Sequence, residues 1–377
     1  MVAEQNIAKI CRYFDSLLFH ILLITCIFSV QANESYPQEK IRRMVDTVGF
    51  SGKPEQMDAF MKYVSENDGN NIKKILSDAN ADNSTVWKTV ISPHDDYTYV
   101  GYLYPAVLQN IKAKTIILIG VCHKARQYNL ENKIIFDGFS CWKMPYGNIK
   151  VSELRNKITD RLNMNYYEVH DSVQSAEHSV EAVLPFLQYY NRDVEIISIL
   201  VPYMSYERMD EISIALSQAI QGVTSGNNLV WGKDYAIVVS TDAVHYGDED
   251  WNGKNFALYG TDTAGYKLAV GHEYEIINKC LNGIILPEKI KSFIDYTVKE
   301  DNYKEYKWTW CGRYSVPLGM LTTYYLQKLC GENLTGVLLK YASSIDHPHV
   351  PVQEIGMGIT APANIHHWVG YAAIGYK

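Results

Sequence analysis

Three histidines and one cysteine stand where a metal site would need them. His94 follows the apolar run Thr89-Val-Ile-Ser-Pro93, and His123 follows Thr115-Ile-Ile-Leu-Ile-Gly-Val-Cys122. His245 follows Ala236-Ile-Val-Val-Ser-Thr-Asp-Ala-Val244, and Cys311 sits in Trp308-Thr-Trp-Cys-Gly-Arg313. In the first three a β-branched run stops and an imidazole stands just beyond it. Imidazole and thiolate are donors suited to zinc, copper or iron. Brought together from distant loops, they would make one metal centre. Asp242 lies three residues before His245. A carboxylate there would fix the imidazole tautomer and let the pair act as acid and base near neutral pH. Its other reading is the N-cap of a short turn.

The neighbours of these residues refine the picture. Gly120 lets the backbone turn at the strand end. Cys122 could be a second ligand, but adjacent side chains there point opposite ways, which favours His123 alone and leaves Cys122 as a small buried filler. Arg313, two residues after Cys311, is expected to lower the thiol pKa, which suits metal ligation or reactivity; taken alone, the motif reads as a buried, inert cysteine. Glu177-His178-Ser-Val-Glu181 places two carboxylates four apart, on one face if the segment is helical, with His178 at the helix start. The order is not that of an HExxH zinc motif. His366-His367 reads as surface or interface.

These side chains need elements to hold them. Strand-like runs near 88–92, 115–121, 132–136, 194–201 and 235–240 alternate with helical patterns at 103–111, 152–162, 179–190 and 205–221. An earlier helix follows Gly52-Lys-Pro54. Beyond Asp248 the pattern is helical at 259–282, 286–297 and 315–330, and it closes with strands at 336–341 and 371–376. Such alternation predicts an α/β fold: a single layered domain with a mostly parallel central sheet flanked by helices. In open α/β sheets ligands bind outside the carboxyl ends of the strands, where the histidines fall.

The 377 residues carry a net charge of -7, with 47% hydrophobic and 20% charged side chains. That composition is globular and offers no basic footprint for nucleic acid. Residues 1–32 differ. Lys9 and Arg12 precede the apolar stretch Leu17–Val30, and small residues follow near Ala32. The stretch has the length of a signal-peptide core and is short for a bilayer span. It reads as a secretory signal, giving a secreted or periplasmic protein; an uncleaved membrane anchor is the alternative. The domain is then 33–377. The seven cysteines show no disulfide framework.

Taken in order, the motifs resemble one family. Pro93-His-Asp-Asp-Tyr-Thr-Tyr-Val-Gly101 resembles the Pro-His-Ala-Gly-Tyr-x-Tyr-x-Gly segment of the Memo proteins, which include AmmeMemoRadiSam system protein B. Leu118-Ile-Gly-Val-Cys-His123 resembles its Leu-Gly-Pro-Ser-His. Glu177–Glu181 with Leu184-Pro185 resembles its Glu-His-Ser-x-Glu-x-x-Leu-Pro. Ser240–Gly247 resembles its Ser-Ser-Asp-x-x-His-x-Gly, and Cys311-Gly-Arg313 its Cys-Gly-Arg.

The resemblance implies a fold like that of the class III extradiol dioxygenases. It implies His94, His123 and Cys311 as metal ligands, and His245, supported by Asp242, as the acid/base pair. A thiolate in place of a third carboxylate ligand softens the site toward copper or thiolate-bound iron. Fe(II) or copper is the expected cofactor, ahead of zinc. Among the roles the resemblance implies is docking of phosphotyrosine peptides; Asp95-Asp96 stand where the family has Ala-Gly and add up to two charges beside the first histidine, which would either raise local metal affinity or repel such an anionic peptide. Three functions are open: a non-haem iron or copper oxidoreductase of unknown substrate, its ligand a small molecule or a peptide; a non-catalytic metal- or peptide-binding protein; and a zinc hydrolase.

Overall fold

The computed structural model describes residues 39–377. The expected signal or anchor at 1–32 lies outside them. Lys40–Lys377 form one compact unit. Its strands are β1 (Ile41–Arg42), β2 (Thr89–Ser92), β3 (Thr115–Val121), β4 (Ile134–Phe136), β5 (Cys141–Met144), β6 (Gly147–Val151), β7 (Tyr167–Val169), β8 (Glu195–Val201), β9 (Tyr235–Ser240), β10 (His245–Gly247), β11 (Gly283–Ile284), β12 (Thr335–Ser343) and β13 (His367–Tyr376). The helices are α1 (Pro54–Asp78), α2 (Tyr97–Val100), α3 (Leu103–Leu108), α4 (Leu154–Thr159), α5 (Asp171–Ser175), α6 (Leu184–Tyr190), α7 (Tyr206–Gly226), α8 (Thr263–Ile276), α9 (Pro287–Thr297) and α10 (Ser315–Cys330).

The sheet runs β1-β5-β6-β8-β3-β9-β2-β13-β12-β11. Its centre, β6-β8-β3-β9-β2, is parallel. Antiparallel pairs extend it on both sides, through β5 against β6 and through β13 against β2. The layered α/β architecture with a large central sheet is therefore as expected, with the longest parallel run in the middle and short parallel pairs, β1 with β5 and β4 with β7, away from it. The hairpin β5-β6 has no counterpart in the sequence reading, because its strands are short and one of them alternates only weakly.

Side-chain alternation splits the interior into two layers. Ile116, Leu118 and Val238 face one side, with Met57 and Phe60 of α1 and Phe186 of α6. Ile117, Ile119 and Val239 face the other, with Ile212 and Leu216 of α7 and Leu318 of α10. A strand covered on both faces must be apolar throughout, and every residue of β3 and β9 is buried. Helix α7 starts where Ser205 Oγ accepts the Arg208 N–H at 3.3 Å, a side-chain N-cap.

Two features place the loops over the sheet end. A Cβ on Gly120 would come within 2.3 Å of Val180 Cγ1, so only glycine lets the 177–181 turn lie this close to β3. Arg42 is buried at 1% exposure. Its guanidinium pairs with Glu181 and donates to Gln174 O at 3.0 Å. Glu181 also accepts Val45 N–H at 3.0 Å and Asp46 N–H at 2.9 Å. This pair ties residues 42–46 to the turn beside β3. Glu181→Gln leaves the Arg42 charge buried and uncompensated, so it is expected to lower stability by about 3–5 kcal/mol. The denaturant midpoint measures it; a change under 1 kcal/mol would refute that role.

Candidate metal centre

Strands β2, β9 and β3 lie side by side, and their carboxyl ends carry the site. Neighbouring strands are roughly 5 Å apart, so His94 beyond β2 and His123 beyond β3 flank the end of β9. Their rings converge over it, with centroids 5.4 Å apart. Cys311 arrives from the loop before α10. A Cβ on Gly312 would approach Thr241 Oγ1 to 2.1 Å, so this loop needs glycine to reach β9.

His94 is oriented by a hydrogen-bond chain. Ser240 Oγ donates its one proton to Ser179 O, so it accepts from His94 Nδ1–H at 3.1 Å. The Nε2 lone pair is left facing inward. It lies 3.5 Å from Cys311 Sγ and 3.4 Å from Asp242 Oδ2. Burial, with His123, His178 and His245 nearby, holds His94 well below the ordinary histidine pKa and so neutral.

His123 is oriented by Glu177. The fully buried carboxylate accepts His123 N–H at 2.7 Å and Nδ1–H at 2.8 Å. It also accepts the His178 and Ser179 amides, each at 2.9 Å. Burial alone would raise the Glu177 pKa, but His123 and these donors bring it to about 2. Burial likewise opposes charge on His123, yet Glu177 and Cys311 raise its pKa to about 10. The ring of His178 stacks on that of His123 with centroids 4.7 Å apart.

Donor atoms of His94, His123 and His178 lie within 4.8 Å of one another, as do those of His94, Asp242 and Cys311. The two groups share His94. The sequence placed His178 at a helix start. Here residues 179–183 form turns and α6 begins only at Leu184. Glu177 and Glu181 therefore share no helical face: one holds His123 and the other Arg42.

Three further expectations are corrected. Asp242 was expected to orient His245. Its carboxylate instead accepts His94 N–H at 2.9 Å and faces the His94 ring. Residues three apart on extended chain face opposite ways, and His245 opens β10. Arg313 does not depress the Cys311 thiol. Burial pushes that pKa up, a hydrogen bond from His123 opposes it, and the guanidinium sits among tyrosines. His367, assigned with His366 to the surface, is buried: it stacks on Trp251 at 3.8 Å and donates Nδ1–H to Glu249 O at 3.0 Å. His366 is half exposed and pairs with Asp248 at 2.8 Å.

The cavity above the site measures about 480 Å³ and is lined by His94, His123, His178, His245 and His367. His245 Nε2 is buried with no hydrogen-bond partner. Burial and the other histidines lower its pKa to about 3. Asp95 and Asp96 reach the cavity without supplying two full charges. Burial, then Asp95, raises Asp96 to about 7, and burial raises Asp95. Tyr371 donates to Asp95 at 2.6 Å. The Cys311 loop hangs on a carboxyl that the sequence reading missed: Glu273, at 0% exposure, accepts from Trp308 Nε1 at 2.5 Å and Trp310 Nε1 at 2.8 Å.

The His123–Glu177 pair gives stability a pH signature. The Glu177 contribution is full above about 4.5 and fades as pH falls toward about 2. The His123 contribution is full below about 6.5 and fades as pH rises through about 10. The melting-temperature gap between wild type and Glu177→Gln is therefore expected to peak between pH 4.5 and 6.5 and narrow on both sides. A gap flat from pH 4 to 10 would contradict the pairing.

A model of the Memo-like proteins matches residues 53–359. Among curated relatives, a MEMO1 family protein of Methanobrevibacter smithii is 25% identical over 263 residues, 68% of this chain and 76% of that one. One from Pyrococcus furiosus is 29% identical over 42% of this chain and 52% of its own length. One from Aquifex aeolicus is 30% identical over 42% and 54%. The match thus spans about half the length of the Pyrococcus and Aquifex proteins. The extent of the Memo-like match, over the segments that carry the histidines and the cysteine, shows that this chain belongs to the Memo family.

Proposed function

We propose that the protein binds one transition-metal ion on His94, His123 and Cys311 and uses it as an oxidoreductase. The observation that carries the reading is the orientation of His94: its Nδ1–H is spent on Ser240, and its free Nε2 lies 3.5 Å from Cys311 Sγ. Two imidazoles and a thiolate suit iron or copper, and such an ion supplies one-electron redox chemistry. Glu177 and Ser240 lock the two rings, the outer hydrogen bonds that ligand histidines require. His245 faces the same cavity with a free, buried Nε2 and takes or gives the substrate proton there. Asp242 supports His94 rather than His245.

A second reading is metal sequestration without turnover. The closeness of His178 and Asp242 to the same centre favours it, because extra donors would close the coordination position that catalysis needs open.

Metal content of the purified full chain tests both. Near-stoichiometric iron or copper is expected in wild type and is lost in His123→Ala and Cys311→Ser. His245→Gln should keep the metal while turnover falls by about 10²-fold or more. Retention in Cys311→Ser would move the site onto the three histidines. No uptake by wild type would end the proposal.

A further inference from the structure

His123 also lines a second cavity, of about 240 Å³, whose wall includes Cys311. Its chemistry differs from that of the first. Its charged groups are mainly cations, Arg126, Lys254, Lys304 and Arg313, set among tyrosines. Two of the cations are already neutralised. Arg126 pairs with Glu305 at 3.6 Å, and Lys304 pairs with Glu131 at 2.5 Å.

Arg313 is not. It is 4% exposed, and among the described residues no carboxylate pairs with it. Nη2 donates to Lys304 O at 3.1 Å, while Nε is buried without an acceptor. Its remaining support comes from tyrosines: Cζ lies 3.6 Å from the Tyr306 ring centroid, 4.7 Å from Tyr314 and 5.7 Å from Tyr203, and the Tyr306 and Tyr314 side chains favour its charge. Aromatic faces offset part of the cost of a buried cation, but an unmet N–H and an unbalanced charge remain. A guanidinium fork matches a planar carboxylate. Exposed Lys254, also without an ion-pair partner among the described residues, stands at the same cavity and would draw an anion in.

We propose that this cavity is a subsite for a small organic carboxylate, anchored by Arg313 and packed against the tyrosine rings beside the metal centre. The inference rests on the metal-centre reading only for what the anchored molecule meets at His123 and Cys311. The anion site itself stands on Arg313.

The test titrates the full chain as purified with 4-fluorobenzoate by fluorine NMR, beside the neutral 4-fluorobenzyl alcohol. Saturable binding of the carboxylate is expected, with the alcohol about tenfold weaker or more, the loss of a charge-assisted pair. Arg313→Gln should weaken the carboxylate by a similar factor. Lys254→Ala, at an exposed position that cannot unfold the core, should weaken it a few-fold and flatten its salt dependence. If Arg313→Gln does not fold, the alcohol comparison and Lys254→Ala decide. Equal binding of acid and alcohol, or acid binding untouched by both variants, overturns the proposal. So does displacement of the benzoate by an equal concentration of inorganic phosphate, which marks a general anion site. Cys311→Ser removes a metal donor but no cation. Carboxylate binding that survives in it while metal binding is lost separates this subsite from the metal reading.

Discussion

A single buried carboxylate sets the geometry of the site. Glu177 collects four N–H donors: the amide and ring of His123 and the amides of His178 and Ser179. Left in an apolar interior, a carboxylate would neutralise itself by raising its pKa; surrounded this way it stays ionised. The same bonds do three things at once. They hold the loop after β3, they fix the 177–179 segment against it, and they turn the His123 ring so that Nε2 faces the cavity. Ser179, held by Glu177, then accepts from Ser240, and Ser240 fixes His94. Both ligand tautomers trace back to one acid.

The charge around this acid is sparse for so polar a cavity. His94, His178 and His245 are held neutral by burial, and Asp242 is pushed well above the usual carboxylate range by burial and by Asp95. Several donors that could each carry charge therefore give it up in order to share one volume. A cation placed among them relieves that conflict, because it stabilises the deprotonated form of every group it touches. This is why a metal explains the cluster better than a purely organic ligand does.

How much of this was legible in the sequence follows a physical rule. His94 and His123 were legible because parallel strands are apolar to their last residue, so the first imidazole beyond them is conspicuous. Cys311 was legible mainly through its resemblance to a Cys-Gly-Arg motif. What stayed hidden depends on direction rather than identity. Asp242 was noticed, but extended chain turns it toward His94. Glu177 and Glu181 were noticed as a pair, but no periodicity says that one meets His123 and the other meets Arg42, 139 positions away. Glu273 gave no local signal, since it acts through two indoles, and His367, read as surface or interface, is buried by a stacked Trp251 that no local pattern announces.

The donors are far apart along the chain: Cys311 and His94 are separated by 217 positions. No short segment holds enough of them to bind an ion, and the sheet centre must close before the ends of β2, β9 and β3 exist as neighbours. An ion that needs the finished fold binds the native state and not the unfolded one. By mass action it then acts as a clamp on folding, adding roughly 2.7 kcal/mol when free metal is 100 times its dissociation constant. The lifetime of a metal-binding chain of this build would then follow the metal supply of its surroundings, and the site would act as a gauge of that supply.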